Sequence, residues 1–454
     1  MKTEEQTAVT AYPAPPGLVT SPDFTLTANG TEVWVEKITG GGPINVYNHE
    51  GIILEDFLPA GLPMEDLNAA GFSCTGPVTI SVTAAEDITS YVIRPKSRGI
   101  AAQVQGRTLT FTIPGPQKLY VEINSCAHLA IFADAPEADV PAEGDPGVVY
   151  YGPGSHSPGT VELASNQTVY LAPGAVVTAE MRGDGLENIT ITGRGMLNGK
   201  VWVSNTTNLQ VDGIFVRNTF GCCNGLINCT RSVYRNVKVF GREAVYSTDG
   251  INPLSCHGLT IDDCFIRTRD DCVSIKSMKR DQDIDGITIS NCVLVGWMCA
   301  DGVTLGFELN GSPIRNILVK NCDILYARGN GRTGGHAGFG IVCDGPAWVE
   351  NIRFEDIRVE EQVEYKNLEL IVTDGTLYGK GPAGHIQGVY LKDIAWENAG
   401  KPLVLAGYGP ENLVEDVTFE NCRVAGKPLT GLEDADFQVN EFVRNVTFVP
   451  EKNR

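Results

Sequence analysis

The 454-residue chain lacks any apolar run approaching the length of a membrane span, and its opening, Met1-Lys-Thr-Glu-Glu-Gln, has no hydrophobic signal segment. No membrane partner is expected. The chain is placed either in the cytoplasm or outside the cell with a leader removed. Basic residues are in short supply, 35 against 55 acidic ones for a net charge of -20. That excludes nucleic acid, whose phosphates demand a basic surface, and argues more weakly against polyanionic polysaccharides. Most of this charge reads as a solvated acidic surface. The 13 cysteines show no close Cys or His spacing of zinc type, and the adjacent Cys222-Cys223 is poor geometry for a shared metal. No metal and no cofactor are expected. An odd number leaves at least one thiol unpaired in a monomer, and the oligomeric state stays open. Also absent is any helical hydrophobic period of useful length.

What the chain has is a repeat. Asn208-Leu-Gln-Val-Asp-Gly-Ile, Gly286-Ile-Thr-Ile-Ser-Asn-Cys, Asn316-Ile-Leu-Val-Lys-Asn-Cys and Asp416-Val-Thr-Phe-Glu-Asn-Cys share one pattern: apolar, polar, apolar, polar, Asn or Asp, apolar. The Asn/Asp position recurs at Asp212, Asn236, Asp263, Asn291, Asn321, Asp356, Asp393 and Asn421, with gaps of 24, 27, 28, 30, 35, 37 and 28 residues. Strict alternation means strands, and a variable period means one rung per repeat with loops growing from one part of the cross-section. The Asn or Asp suits a corner, because its short side chain tolerates left-handed backbone and bonds to it. Cys264, Cys292, Cys322 and Cys422 fall at equivalent positions, where a small apolar side chain stacks in a solenoid core. The predicted fold is all-β: a right-handed parallel β-helix over 146–454, its first rung at Val169-Tyr-Leu-Ala-Pro-Gly-Ala-Val-Val. Residues 1–140, with alternations at Leu109, Phe111, Ile113 and Leu119, Val121, Ile123 but no Asn/Asp ladder, predict a small β-sandwich. A Pro-, Ala- and acid-rich connector over 134–146 separates the two.

Two acidic steps stand out in the repeat region, Ser247-Thr248-Asp249-Gly250-Ile251 and Arg269-Asp270-Asp271-Cys272-Val273. Rungs of a β-helix stack about 4.8 Å apart, so the 22 residues between Asp249 and Asp271 become a near-contact. Three crowded carboxyls split their pKa values, because like charges at short range cannot all ionise. Glycoside hydrolysis needs that combination: one protonated carboxyl for the leaving oxygen and a carboxylate for water or the sugar. Asp270 and Asp271 are neighbours and would point to opposite faces of an ideal strand, so a bulge or turn must fall there.

Thr248-Asp249-Gly250 followed by Asp270-Asp271-Cys272-Val273-Ser274-Ile275-Lys276-Ser277 resembles the polygalacturonase-like β-helix glycoside hydrolases and their relatives, the dextranases and isopullulanases. The resemblance implies Asp270 as general acid, with Asp249 and Asp271 holding the nucleophilic water, and inversion at the anomeric carbon. Polygalacturonases carry Gly-His-Gly on the next rung, where this chain has Ala300-Asp301-Gly302. Their Arg-Ile-Lys, which holds a uronate carboxylate, is matched here by Gly340-Ile341-Val342-Cys343-Asp344. A site without that basic clamp would repel galacturonate. The dextranase and isopullulanase side is therefore the closer likeness, and a neutral α-linked poly- or oligosaccharide is the expected substrate. Asp301, Glu308, Lys276, His336 in the glycine-rich loop 329–338, and Tyr246 are candidate substrate contacts; Tyr246 and Trp297 could stack on a sugar face, though aromatic residues in rungs are more often core. The alternatives are a polygalacturonase-type hydrolase of pectic uronates, a uronate lyase or epimerase needing Ca²⁺ or basic groups, and a non-catalytic carbohydrate-binding solenoid.

Overall fold

The computed structural model describes residues 8–39, 66–217, 221–241, 248–297, 300–328, 336–376, 378–379 and 381–451. No α-helix occurs among them, only the two 3-10 turns Lys96–Arg98 and Leu432–Asp434. The alternating segments form half-buried strands, as their period requires. Thr108–Ile113 buries Leu109, Phe111 and Ile113, and Gln117–Ile123 buries Leu119, Val121 and Ile123. These strands belong to a five-stranded and a six-stranded sheet that enclose a core including Phe24, Phe72, Ile80, Leu109 and Ile131.

From Val148 onward the chain winds into a parallel β-helix, in which 30 strands form one continuous ladder. Pairing begins at Val148↔Thr168 and Gly154↔Ala175, one coil before the rung expected at Val169. That coil was hidden because Gly154–Glu162, with Ser155, His156 and Ser157 in place of alternating apolar residues, is mostly exposed. At the corners, Asn236, Asp263, Asn291, Asn321, Asp356, Asp393 and Asn421 all take left-handed backbone with φ between 49° and 58°. Asp212 does not; its neighbour Gly213 takes the turn at φ 80°. The corner amides also bond rung to rung, as Asn321 Nδ2 does to Asn291 Oδ1 at 2.6 Å and Asn351 Nδ2 to Asn316 Oδ1 at 2.6 Å. Cys264, Cys292, Cys322 and Cys422 are buried in the solenoid core.

The sandwich docks on one face of the helix through an aromatic layer: Tyr120 and Phe132 pack against Phe215, Phe240, Phe265, Trp297 and Tyr326. Trp297 is thus no sugar platform. It is 3% exposed, with its ring 5.0 Å from Tyr326 and 5.6 Å from His128, and the guanidinium of Arg328 covers it at 4.5 Å. Buried ion pairs frame the layer, with Lys238 on Asp134 at 2.7 Å and Arg94 on Glu122, Glu360 and Glu361. Strand Phe265–Thr268 lies under this interface and runs straight into Asp270-Asp271, so docking anchors one side of the acidic turn.

Candidate active site

Strands Ile251–Leu254, Val273–Ser277, Val303–Leu309, Ala337–Cys343 and Lys366–Val372 lie side by side in parallel. Ile251, Val273 and Val303 are register partners, so the residues two before them, Asp249, Asp271 and Asp301, fall in one column. The ladder confirms it: Gly250 N donates to Asp271 O at 2.9 Å and Cys272 N to Asp301 O at 3.0 Å. Glycine at 250 permits the approach, since a Cβ there would sit 2.4 Å from both Cys272 O and Ile266 Cγ2. All three acids are buried, Asp301 completely.

Asp270 and Asp271 sit on the turn between Phe265–Thr268 and Val273–Ser277 and not within a strand, so neighbouring carboxyls reach one site. Thr268 Oγ1 donates to Asp270 O at 2.7 Å, and Asp270 Oδ1 accepts from Asp271 N at 2.9 Å. Burial, then the nearby Asp249 and Asp271 carboxylates, push the Asp270 carboxyl well above its ordinary range. Asp271 is pushed up to about 8, first by burial and then by Asp301, against the pull of His336. The crowded pair therefore retains a proton at neutral pH. Each carboxyl accepts one backbone N–H at 2.9 Å, but Asp271 also lies 3.9 Å from the His336 ring, a cation that favours its charged form, so the retained proton belongs on Asp270.

On the Asp249 side, Asn252 Nδ2 donates to Asp249 Oδ2 at 2.6 Å, and Lys276 Nζ lies 3.8 Å from the same oxygen. Lys276 in turn holds Glu308 at 2.9 Å. Glu308 takes a left-handed φ of 67°, a conformation that costs a non-glycine residue roughly 1–3 kcal/mol. Asp344 holds it there. Fully buried, it accepts from Glu308 N at 2.8 Å and Leu309 N at 3.1 Å, and its other oxygen accepts from Thr376 Oγ1 at 2.6 Å. Sequence reading took Asp344 only as part of a replaced clamp. Its partners lie one coil back and one coil on, and no local pattern reveals them.

His336 enters from the following coil. It is 6% exposed, with Nδ1 3.2 Å from Asp301 Oδ1 and 3.9 Å from Asp271 Oδ1. Where the resemblance implied a histidine, Asp301 stands, and an imidazole from the next coil faces it. Burial pulls the His336 pKa down, but Asp301 and then Asp271 and Asp270 outweigh it and bring it up to about 10. Asp271, Asp301 and His336 are the group among the described residues whose ligand atoms, within 4.8 Å of one another, could hold a metal ion. A protonated His336 gives the two carboxylates a cation there without one. Tyr246 lies outside the described residues.

This cluster fixes a sign for stability against pH. An imidazole that binds its proton more tightly when folded contributes fully below its unfolded value of 6.5 and loses that contribution as pH rises through about 10. The crowded pair of Asp270 and Asp271, which holds its shared proton more tightly when folded, acts in the same direction. The melting temperature of the wild type should therefore fall between pH 6.5 and 10, and His336→Gln should flatten that fall. Parallel pH profiles for the two proteins would show that His336 is not the group responsible.

Two further residues went unnoticed in the sequence. Lys366 pairs with Ala337 in the ladder and so continues the column of Asp249, Asp271 and Asp301. Its Nζ donates at 2.7 Å to Glu369, a carboxylate 1% exposed that burial and then Asp301 push up to about 7. The candidate residues Asp249, Asp270, Asp271, Asp301, Lys276, Glu308 and His336 thus gather in one cluster of interacting side chains, with Asp344, Glu369 and Lys366 added.

Comparison with known proteins bears on this cluster. No curated protein matches the sequence. The fold is similar to that of a hyperthermoactive exopolygalacturonase from Thermotoga maritima, with TM-score 0.51 and 16% identity over 66% of this chain and 83% of that one. It is similar also to Dex49A from Penicillium minioluteum, with TM-score 0.53 and 13% identity over 96% of both chains. At such identities the likeness speaks for the β-helix alone. The family model for glycosyl hydrolases family 28 matches residues 155–426, a stretch that holds every member of the acidic column. The match covers more than half of the chain, which belongs to glycosyl hydrolases family 28.

Proposed function

We propose that this glycoside hydrolase cleaves α-glycosidic bonds of a neutral poly- or oligosaccharide with inversion at the anomeric carbon. The observation that carries the reading is the charge state of the cluster. Asp270 is a half-buried carboxyl whose pKa desolvation and two neighbouring carboxylates push well above the ordinary range, which favours its protonated form. Among the described residues of the cluster, seven acids, Asp249, Asp270, Asp271, Asp301, Glu308, Asp344 and Glu369, stand beside Lys276, His336 and Lys366, and each of these three cations has a carboxylate partner: Lys276 with Glu308, His336 with Asp301, Lys366 with Glu369. Asp270 gives its proton to the leaving oxygen, while Asp249 and Asp271 orient and deprotonate the water that attacks from the opposite face. A uronate carboxylate would meet a desolvated, acidic cluster in which Lys276, His336 and Lys366 are already paired, which costs binding.

Reducing-sugar release from dextran, pullulan and polygalacturonate at equal mass tests the substrate class. Turnover of a neutral glucan is expected. Turnover of polygalacturonate alone would make the runner-up correct, a polygalacturonase-type hydrolase, which the shared Asp-Asp-Cys stretch at 270–272 favours. An NMR time course on the cleaved polymer tests the stereochemistry, and product appearing first with retained configuration would overturn the role given to water.

A further inference from the structure

We infer that Asp271, Asp301 and His336 bind a transition-metal ion of the zinc class, and that the bound ion stops hydrolysis. The first half stands on geometry; the second rests on the reading that Asp271 holds the nucleophilic water. The three residues come from successive coils, just ahead of strands Val273–Ser277, Val303–Leu309 and Ala337–Cys343, and their ligand atoms lie within 4.8 Å of one another. That spacing suits one ion. Zinc holds nitrogen and carboxylate oxygen at about 2.1 Å, so its tetrahedral donors stand roughly 3.4 Å apart. Here His336 Nδ1 is 3.2 Å from Asp301 Oδ1 and 3.9 Å from Asp271 Oδ1.

Two of the donor atoms have nothing else to do. Asp301 Oδ2 and His336 Nδ1 are buried without a hydrogen-bond partner, in residues 0% and 6% exposed, and an ion between them satisfies both. The carboxylates are already aimed. Asp271 Oδ1 accepts from Asp301 N at 2.9 Å and Asp301 Oδ1 from Ala337 N at 2.8 Å, so backbone of the next coil orients each, as outer partners orient the ligands of metal sites. One imidazole with two carboxylates suits zinc or its cobalt substitute, whereas calcium, which takes about six to eight oxygens, finds too few. Solvent reaches the turn, since Asp270 beside Asp271 is partly exposed. The arriving ion displaces the His336 Nδ1 proton into solvent and takes up the Asp271 carboxylate, and the nucleophilic water loses an acceptor.

Equilibrium dialysis of the full chain against ZnCl₂ at neutral pH, repeated with Co²⁺ for its visible spectrum, provides the test. Wild type should bind an ion that His336→Gln and Asp301→Asn each weaken by more than the roughly tenfold that loss of an outer partner costs. The Co²⁺ form should lack the sulfur-to-cobalt charge transfer that marks a cysteine ligand. Asp301→Asn keeps the side-chain volume and the bond from Ala337 N, and so gives a second reading if the glutamine variant melts early. Zinc at concentrations that fill the site should stop turnover of whichever polymer the wild type cleaves, and EDTA should restore it. A folded wild type that binds no ion, or binding that survives both substitutions, would overturn the site and leave the role of Asp271 untouched. Zinc held by the three residues without loss of hydrolysis would overturn the inhibition, and with it the place of Asp271 beside the water.

Discussion

Asp270→Asn is expected to lower kcat on whichever polymer the wild type cleaves by roughly 10³-fold, within the range general acid catalysis contributes, without lowering the melting temperature. The carboxamide fills the same volume and can still accept from Asp271 N, the bond that shapes the turn at 2.9 Å. What it cannot do is release a proton to a leaving oxygen. Because burial and the charges of Asp249 and Asp271 already disfavour the ionised form of Asp270, removing its ionisation relieves crowding and does not unbalance the fold. Asp249→Asn and Asp271→Asn should be nearly as severe, because the water loses one of its two acceptors. Steady-state kinetics with a thermal melt on the same sample decide the matter. Residual activity above about a tenth of wild type would remove Asp270 from the role of acid.

The second large effect is on stability. Arg94, 1% exposed on the sandwich, donates from Nε to Glu122 at 2.6 Å, from Nη2 to Glu361 at 2.9 Å and from Nη1 to Glu360, the latter two being on the β-helix. Arg94→Ala should cost about 3–5 kcal/mol, the penalty for leaving a buried charge uncompensated. Glu360 shows why the cost is high. It is as buried as the arginine, and burial holds its carboxyl up at about 7 even with the guanidinium in contact. Losing the arginine leaves Glu360 to take up a proton or lose the interface. A urea unfolding series measures this, and a shift below about 1 kcal/mol would mean that the aromatic layer of Phe132, Phe240, Phe265 and Tyr326 holds the two parts together unaided.

The rung architecture was legible because it is written in local terms. Alternation at Ile287 and Ile289 or Ile317 and Val319 gives strands whatever surrounds them, and an Asn or Asp at 236, 263, 291 and 321 gives a left-handed corner from its own side chain. The acidic steps at 249 and 270–271 were legible for the same reason, since a fixed coil turns a separation in sequence into a stack. Local pattern failed at Gly154–Glu162, where polar residues conceal a true strand; for Trp297 it favoured the core, and the docked sandwich is what buries it.

The sequence by itself therefore determined the solenoid, the N-terminal sandwich and the presence of an acidic cluster, all of which follow from period and residue type. Only the tertiary structure decided the electrostatics of the cluster. The distance from Asp301 to His336, the support of Glu308 by Asp344, and the pairing of Lys366 with Glu369 depend on which side chains of different coils lean towards one another. That is set by loop lengths and by burial, neither of which any single repeat encodes, and burial is what turns ordinary carboxylates into a proton donor and its partners.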